Sequence, residues 1–293
     1  MKPREKGEAS ARATGQLIAA MLIFGTIGLL RRYLTLPSAW IVMARGILGS
    51  VFLTGILLIR GQKPLPGADR KTWLMTVISG AFMGINWLLL FEAYRLTTVA
   101  TATLCYYMEP TFLVLLSPLL FRERITLKKG LCALISVAGM VLVSGVGGTA
   151  AQTGASTVPG ILCGLGAAVF YTAVVILNKK TQTDDIYGRT MIQLASAAAV
   201  LLPYILLSGQ SEAAVWDGRS VLILLVMGIV HTGVAYILYF GSLPKVPAQR
   251  VAVISYLDPV SALILGAAFL REPMTGAGWL GAALIIGAAA VGQ

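Results

Sequence analysis

The chain repeats itself, and that repeat restricts its architecture more than any other feature. Residues 106–123 read YYMEPTFLVLLSPLLFRE and residues 255–272 read SYLDPVSALILGAAFLRE, 149 positions apart and without a gap. Glu109-Pro110 falls on Asp258-Pro259, and Arg122-Glu123 on Arg271-Glu272. At the same offset Gly84 meets Gly233, Trp87 meets Tyr236, Phe91 meets Phe240 and Tyr107 meets Tyr256. Farther upstream, Met43 and Gly61 fall on Met191 and Gly209 at an offset of 148, and Phe24 and Thr26 on Phe170 and Thr172 at 146. Self-similarity at so long a period marks a fold of two like halves.

Those halves are too apolar for water. Of 293 residues, 57% are hydrophobic and 12% charged, about half the charged share of an ordinary soluble domain. A soluble core could not bury this much apolar surface, so lipid must cover it. A spanning helix takes ~20 apolar residues. Ten segments reach or approach that length: 15–30, 39–59, 73–94, 99–121, 130–146, 158–178, 188–208, 220–241, 250–270 and 277–292, of which the first, fifth and last are short. The expected fold is an all-α membrane protein of ten transmembrane helices as two inverted five-helix repeats. A cytoplasmic tail covers 1–14, the first repeat 15–146, a linker 147–157 and the second repeat 158–293. Five crossings are an odd number, so the second copy enters the membrane from the opposite side. A binding site is then expected between the copies, near the midplane.

Lysine and arginine set the orientation. With the N-terminus inside, 17 of them fall in the tail and the loops at 60–71, 122–129, 179–189 and 245–250, against 5 on the other side. Basic loops stay in the cytoplasm, so both termini are expected there. The net charge of +11 is thus a matter of topology, and no nucleic-acid partner is expected. Lys2, Arg4, Lys6 and Arg12 precede the first apolar run as in a signal peptide, but Arg31-Arg32 follows in place of a small-residue cleavage site. The run is expected to stay as a first helix behind a short disordered tail. Cys105, Cys132 and Cys163 lie inside apolar segments without ligand spacing and read as packing residues. Neither a metal site nor a cofactor is expected, and no P-loop, HExxH, GxSxG or paired CxxC points to an enzyme.

Ten helices as two inverted units of five resemble the drug/metabolite transporter superfamily, in particular its EamA-type group. The fourth helix of each unit carries the likeness: it holds Pro110 or Pro259 and ends in Arg122-Glu123 or Arg271-Glu272, with a Gly-rich helix following. The likeness spans about residues 16–292. It implies a carrier, in most members an exporter of small organic metabolites such as amino acids, with a cavity lined by both halves and exchange against protons.

Glu109 and Asp258 head the candidate site. An acid in a helix centre is expensive, about 2.5–3.5 kcal/mol on insertion scales, and usually faces a cavity. Each stands beside a proline that frees a backbone carbonyl one turn earlier, making Pro110 and Pro259 candidate flex points. Helical spacing places Tyr106 with Glu109, and Ser255 with Asp258. The alternative is an acid held by a buried arginine or by helix-end donors. Arg45 lies about seven residues into the second helix, where it suits a substrate carboxylate; pairing with Glu109 or Glu92 is the alternative. His231, the single histidine, suits a proton relay or is a hydrogen-bonded packing residue. Asn86 and Trp87 on the third helix, and Thr232 and Tyr236 on the eighth, are expected to line the cavity. Glu92 is expected to pair with Arg95, and Glu123 and Glu272 to anchor loops and close a gate. Gly80-x-x-x-Gly84 and Gly160-x-x-x-Gly164 are expected packing faces.

The function expected is secondary active transport of amino-acid-like or amine metabolites, as an exporter working by proton-coupled alternating access. An uncoupled facilitator or channel and a flippase of lipid-linked substrates are the alternatives. The partners expected are a small-molecule substrate and the bilayer of a bacterial inner membrane, for a monomer or homodimer.

Overall fold

The structure, a computed structural model, describes residues 3–121, 126–144, 157–181, 183, 185–209, 214–246 and 248–292. Every regular element among them is helical. In chain order these are α1 (Pro3–Gly25), α2 (Ile27–Arg32), α3 (Ser38–Ile59), α4 (Arg70–Leu96), α5 (Val99–Tyr106), α6 (Glu109–Phe121), α7 (Leu127–Ser144), α8 (Thr157–Lys180) and α9 (Ile186–Leu207). After them come α10 (Gly218–Val226), a π-helical segment (Met227–Val234), α11 (Ala235–Ser242), α12 (Ala248–Ser255), α13 (Leu257–Phe269) and α14 (Gly276–Gly292). Seven helical stretches among the described residues are long and apolar enough to cross a bilayer, and three shorter apolar helices cover 130–143, 253–269 and 276–288. The chain is a multi-pass membrane protein. The Arg122-Glu123 pair and linker residues 147–156 lie outside the described residues.

Several helices depart from the uniform spans that composition suggests. The first begins at Pro3, inside the stretch expected to be a disordered tail; proline suits a first helical turn. The expected span 99–121 is two helices, with a turn at Tyr107-Met108, and the expected span 250–270 is broken at Tyr256. Both breaks have one cause. Pro110 can offer no N–H to Tyr106, and Pro259 none to Ser255; α5 ends at Tyr106 and α12 at Ser255. The chain restarts with each proline in the first turn of the next helix, where a missing donor is harmless. The prolines therefore mark restarts between half-helices rather than kinks inside one helix.

Other matched positions also share local geometry. Gly61 and Gly209 both end their helices with positive φ, 62° and 66°, a conformation that glycine adopts freely. Asp69 and Asp217 both cap the following helix, accepting from Thr72 N at 2.8 Å and from Ser220 N at 2.6 Å.

Glycine sets how closely the helices pack. A Cβ at Gly80 would stand 2.6 Å from the Gln193 carbonyl oxygen, and one at Gly84 2.7 Å from that of Ala197, so α4 lies backbone to backbone on α9. Gly160 and Gly164 bring α8 equally close to Thr97 and Cys105. Without a water-driven force between helices in lipid, such close contact is the main source of association. The main core joins α3, α4 and α9 around Ile41, Val42, Phe91 and Leu194.

Candidate functional site

Arg45 projects from α3 into that core and is 2% exposed. Its Nε donates to Thr232 Oγ1 at 3.4 Å. Its guanidinium lies 4.3 Å from the Trp87 ring centroid and 5.4 Å from that of Phe91, a stacked arrangement that planar arginine favours. No carboxylate lies within ion-pair distance of it among the described residues. The alternative partner Glu92 is held instead by Arg95 at 2.8 Å, the pairing that the sequence suggests. The hydroxyls within electrostatic reach of the Arg45 charge are those of Tyr236, Tyr94 and Tyr106.

The two acids sit where the half-helices restart. Glu109 is the first residue of α6 and Asp258 the second of α13, so each carboxylate meets the positive end of a helix dipole. Both lie within electrostatic reach of Tyr106 and Tyr171. Their partners differ. Asp258 Oδ2 accepts from the Tyr107 hydroxyl at 2.8 Å, a bond between residues 151 apart that ties the two halves together. The Glu109 carboxylate has no hydrogen-bond or ion-pair partner among the described residues; the backbone carbonyl of Glu109 accepts from Thr172 Oγ1 at 3.4 Å. Among the described residues, neither acid is held by an arginine.

The π-helical segment orients two more candidates. A π turn leaves carbonyls free for partners five residues on: Thr232 donates to Met227 O at 3.1 Å, and His231 Nδ1 lies 3.3 Å from Val226 O. His231 Nε2 reaches 2.7 Å to Thr26 Oγ1, at the break between α1 and α2. Two irregular points in different halves thus meet through one hydrogen bond.

Tyrosines and phenylalanines surround these polar groups. Tyr106 lies 5.4 Å from Tyr171 and 5.9 Å from Tyr107. Tyr236 packs edge-on to Phe24 at 5.7 Å and to Phe240 at 5.4 Å. Asn86 and Ser255 are engaged with backbone. Asn86 Nδ2 donates to Ala167 O at 2.6 Å, clasping α4 to α8. Ser255 bonds back within its own helix, to Val251 O at 2.9 Å.

Glu272 closes one end of the bundle. Its carboxylate accepts from Val99 N at 2.9 Å and Ala100 N at 3.3 Å, and pairs with Arg32 at 3.0 Å. It thereby caps α5 and fastens the end of α13 to α2.

The structure brings Arg45, Trp87, Thr232, Tyr106 and Tyr236 into one neighbourhood, and Glu109 and Asp258 share its tyrosines. Sequence reasoning about the site passed over Tyr107, Thr26, Phe24 and Phe91. All four are repeat-matched positions, so the repeat itself was the signal that marks them.

The model of a family described as the EamA-like transporter family matches residues 13–145 and again 158–291. The chain is 28% identical over 267 residues to the uncharacterized transporter YxxF of Bacillus subtilis, covering 91% of this chain and 85% of that protein. It is 31% identical over 206 residues to the aromatic amino acid exporter YddG of Ancylobacter novellus, covering 69% of each. A protein of known crystal structure superposes with a TM-score of 0.65 at 25% identity, over 96% of both chains.

Proposed function

The chain belongs to the EamA-like transporter family, and we propose that it is a secondary active exporter of small amino-acid-like metabolites, driven by proton exchange. The observation that carries this reading is Arg45: a guanidinium buried in the core, stacked on Trp87, with one neutral hydrogen-bond partner and no carboxylate among the described residues. Buried charges are normally paired. A substrate carboxylate fits the terminal nitrogens of the fork. The rings of Tyr106, Tyr171 and Tyr236 suit the rest of a small organic molecule, or its ammonium group.

Glu109, with no partner for its carboxylate among the described residues, is the proton carrier in this scheme. Asp258, bonded to Tyr107 across the halves, senses the relative position of the halves. Ten helices in two inverted repeats suit the sequence repeat, the twofold family match, the paired caps at Asp69 and Asp217, and the paired breaks before Glu109 and at Tyr256. Both termini then lie in the cytoplasm of a cell with the protein in its inner membrane. The name of the 31% identical relative favours an amino-acid-like substrate.

Solid-supported-membrane currents from reconstituted protein test the scheme. The panel is amino acids, polyamines, quaternary amines and nucleosides at two pH values, beside Glu109→Gln. A saturable, pH-dependent amino-acid current, lost in Glu109→Gln, is the expected result. A response to amines alone would remove the carboxylate role of Arg45. Flux without saturation or trans-stimulation would make the protein an uncoupled facilitator.

A further inference from the structure

Away from Arg45, the ends of α2, α4 and α9 line an open cavity of about 640 Å³. Its wall carries Arg31, Arg32 and Arg95 against one lining acid, Glu92. Two of these guanidiniums are committed, Arg32 to Glu272 at 3.0 Å and Arg95 to Glu92 at 2.8 Å. Arg31 is not. It is 5% exposed, and its terminal nitrogens donate to two neutral oxygens, Leu34 O at 3.0 Å and Ser38 Oγ at 3.2 Å. Its buried Nε has no hydrogen-bond partner among the described residues. Glu92 acts on Arg31 electrostatically across the cavity but is ion-paired with Arg95, so this buried cation has no direct counter-ion among the described residues. Three guanidiniums against one carboxylate give the cavity wall an excess of positive charge that suits an anion.

One face of α4 runs from this cavity to the central site. Trp87, Phe91 and Tyr94 share one face of α4 at i, i+4 and i+7, all buried. Arg45 lies over the first two rings, while Tyr94 lines the cavity with Arg31. Seven helical residues rise about 10 Å. One row of buried aromatic rings therefore has at each end an arginine that pairs with no carboxylate among the described residues.

We propose that the Arg31 cavity is a second binding site for small carboxylates, at which an exported substrate pauses after leaving Arg45. Its place in the transport cycle, and its facing outward, rest on the function proposed above; the binding does not. Because Arg31 presents a planar fork, it selects a carboxylate over a neutral analogue of the same shape.

Calorimetry on the full-length purified protein tests the site, with benzoate as probe, benzamide as its neutral counterpart and glycerol phosphate standing for lipid headgroups. Arg45→Gln silences the central arginine. In that background benzoate is expected to bind still, benzamide not, and adding Arg31→Gln should weaken benzoate by about tenfold or more. Arg31→Lys keeps the charge but not the fork, and should recover part of the loss; it also serves if Arg31→Gln does not fold. Benzoate affinity unmoved by either Arg31 variant would overturn the proposal, as would tighter binding of glycerol phosphate than of benzoate. Counterflow in oriented proteoliposomes separates the two claims. Wild-type protein that binds benzoate through Arg31 but transports nothing would sink the exporter and leave the site. Amino-acid transport with an external KM untouched by Arg31→Gln would do the reverse.

Discussion

Arg45 is the residue on which most depends, and its chemistry makes a sharp prediction. Lysine at this position would keep the charge but could neither lie flat on Trp87 nor bind a carboxylate through two parallel donors. Arg45→Lys should therefore raise the KM of amino-acid counterflow by about tenfold or more, the equivalent of one charge-assisted contact, in a protein that still elutes as a folded monodisperse species. Unchanged KM would place substrate recognition elsewhere. Tyr107→Phe should destabilise the protein by about 1.5–3 kcal/mol, the usual worth of a hydrogen bond to a charged group, read as a lower thermal midpoint in detergent. Much of this chemistry was legible from residue type and spacing. The Glu92–Arg95 pair follows from their spacing of three on one helix, and Arg45 stands out because a cation seven residues inside a span needs a reason. The Tyr107–Asp258 bond was not legible, because two residues 151 apart meet only once the halves are packed.

At the scale of helices, sequence patterning located the elements well and their interruptions poorly. Apolar runs show where a chain crosses lipid, since a span is defined by length and composition. Breaks depend on single backbone donors. Pro110 and Pro259 signalled them, but a proline in an apolar run is equally consistent with a kink, and only the structure shows α5 and α12 stopping short. The π turn at Met227–Val234 has no sequence signature of its own. Pro110→Ala restores the missing donor and should merge α5 with α6. The expected outcome is slower transport without loss of stability, measured as turnover beside thermal midpoint. The capping acids offer a second test. The Thr72 hydroxyl and amide hold the Asp69 carboxyl below the usual carboxylate range, and the amide and hydroxyl of Ser220 do the same for Asp217. A carboxyl depressed in the folded state stabilises it above its unfolded value of about 4, and that contribution fades as pH falls through the folded value. Asp69→Ala should thus lower the thermal midpoint at pH 7 but add nothing to acid-induced loss once pH is below the folded value, whereas Asp69→Asn, itself a good cap, should change little at pH 7.

For the molecule as a whole, helix contact is set by where side chains are missing. Gly80→Val would drive a side chain into the backbone of α9 at Gln193, and is expected to abolish folded yield on size-exclusion chromatography; Gly55→Ala, at a position with nothing within 4 Å, should leave yield unchanged. The arrangement around α5 has a mechanical consequence of another kind. This eight-residue helix, about 12 Å long, is bolted at both ends to one neighbour. Glu272, just past α13, grips its first amides, and Asp258, near the start of α13, grips Tyr107 at its far end. A bar with two bolts cannot move against its frame; with one bolt drawn it can only swing about the other. Release of Asp258 should therefore turn α5 on a pivot at Val99 instead of sliding it, and spin-label distances in Tyr107→Phe should broaden at the Glu109 end while staying narrow at the Val99 end.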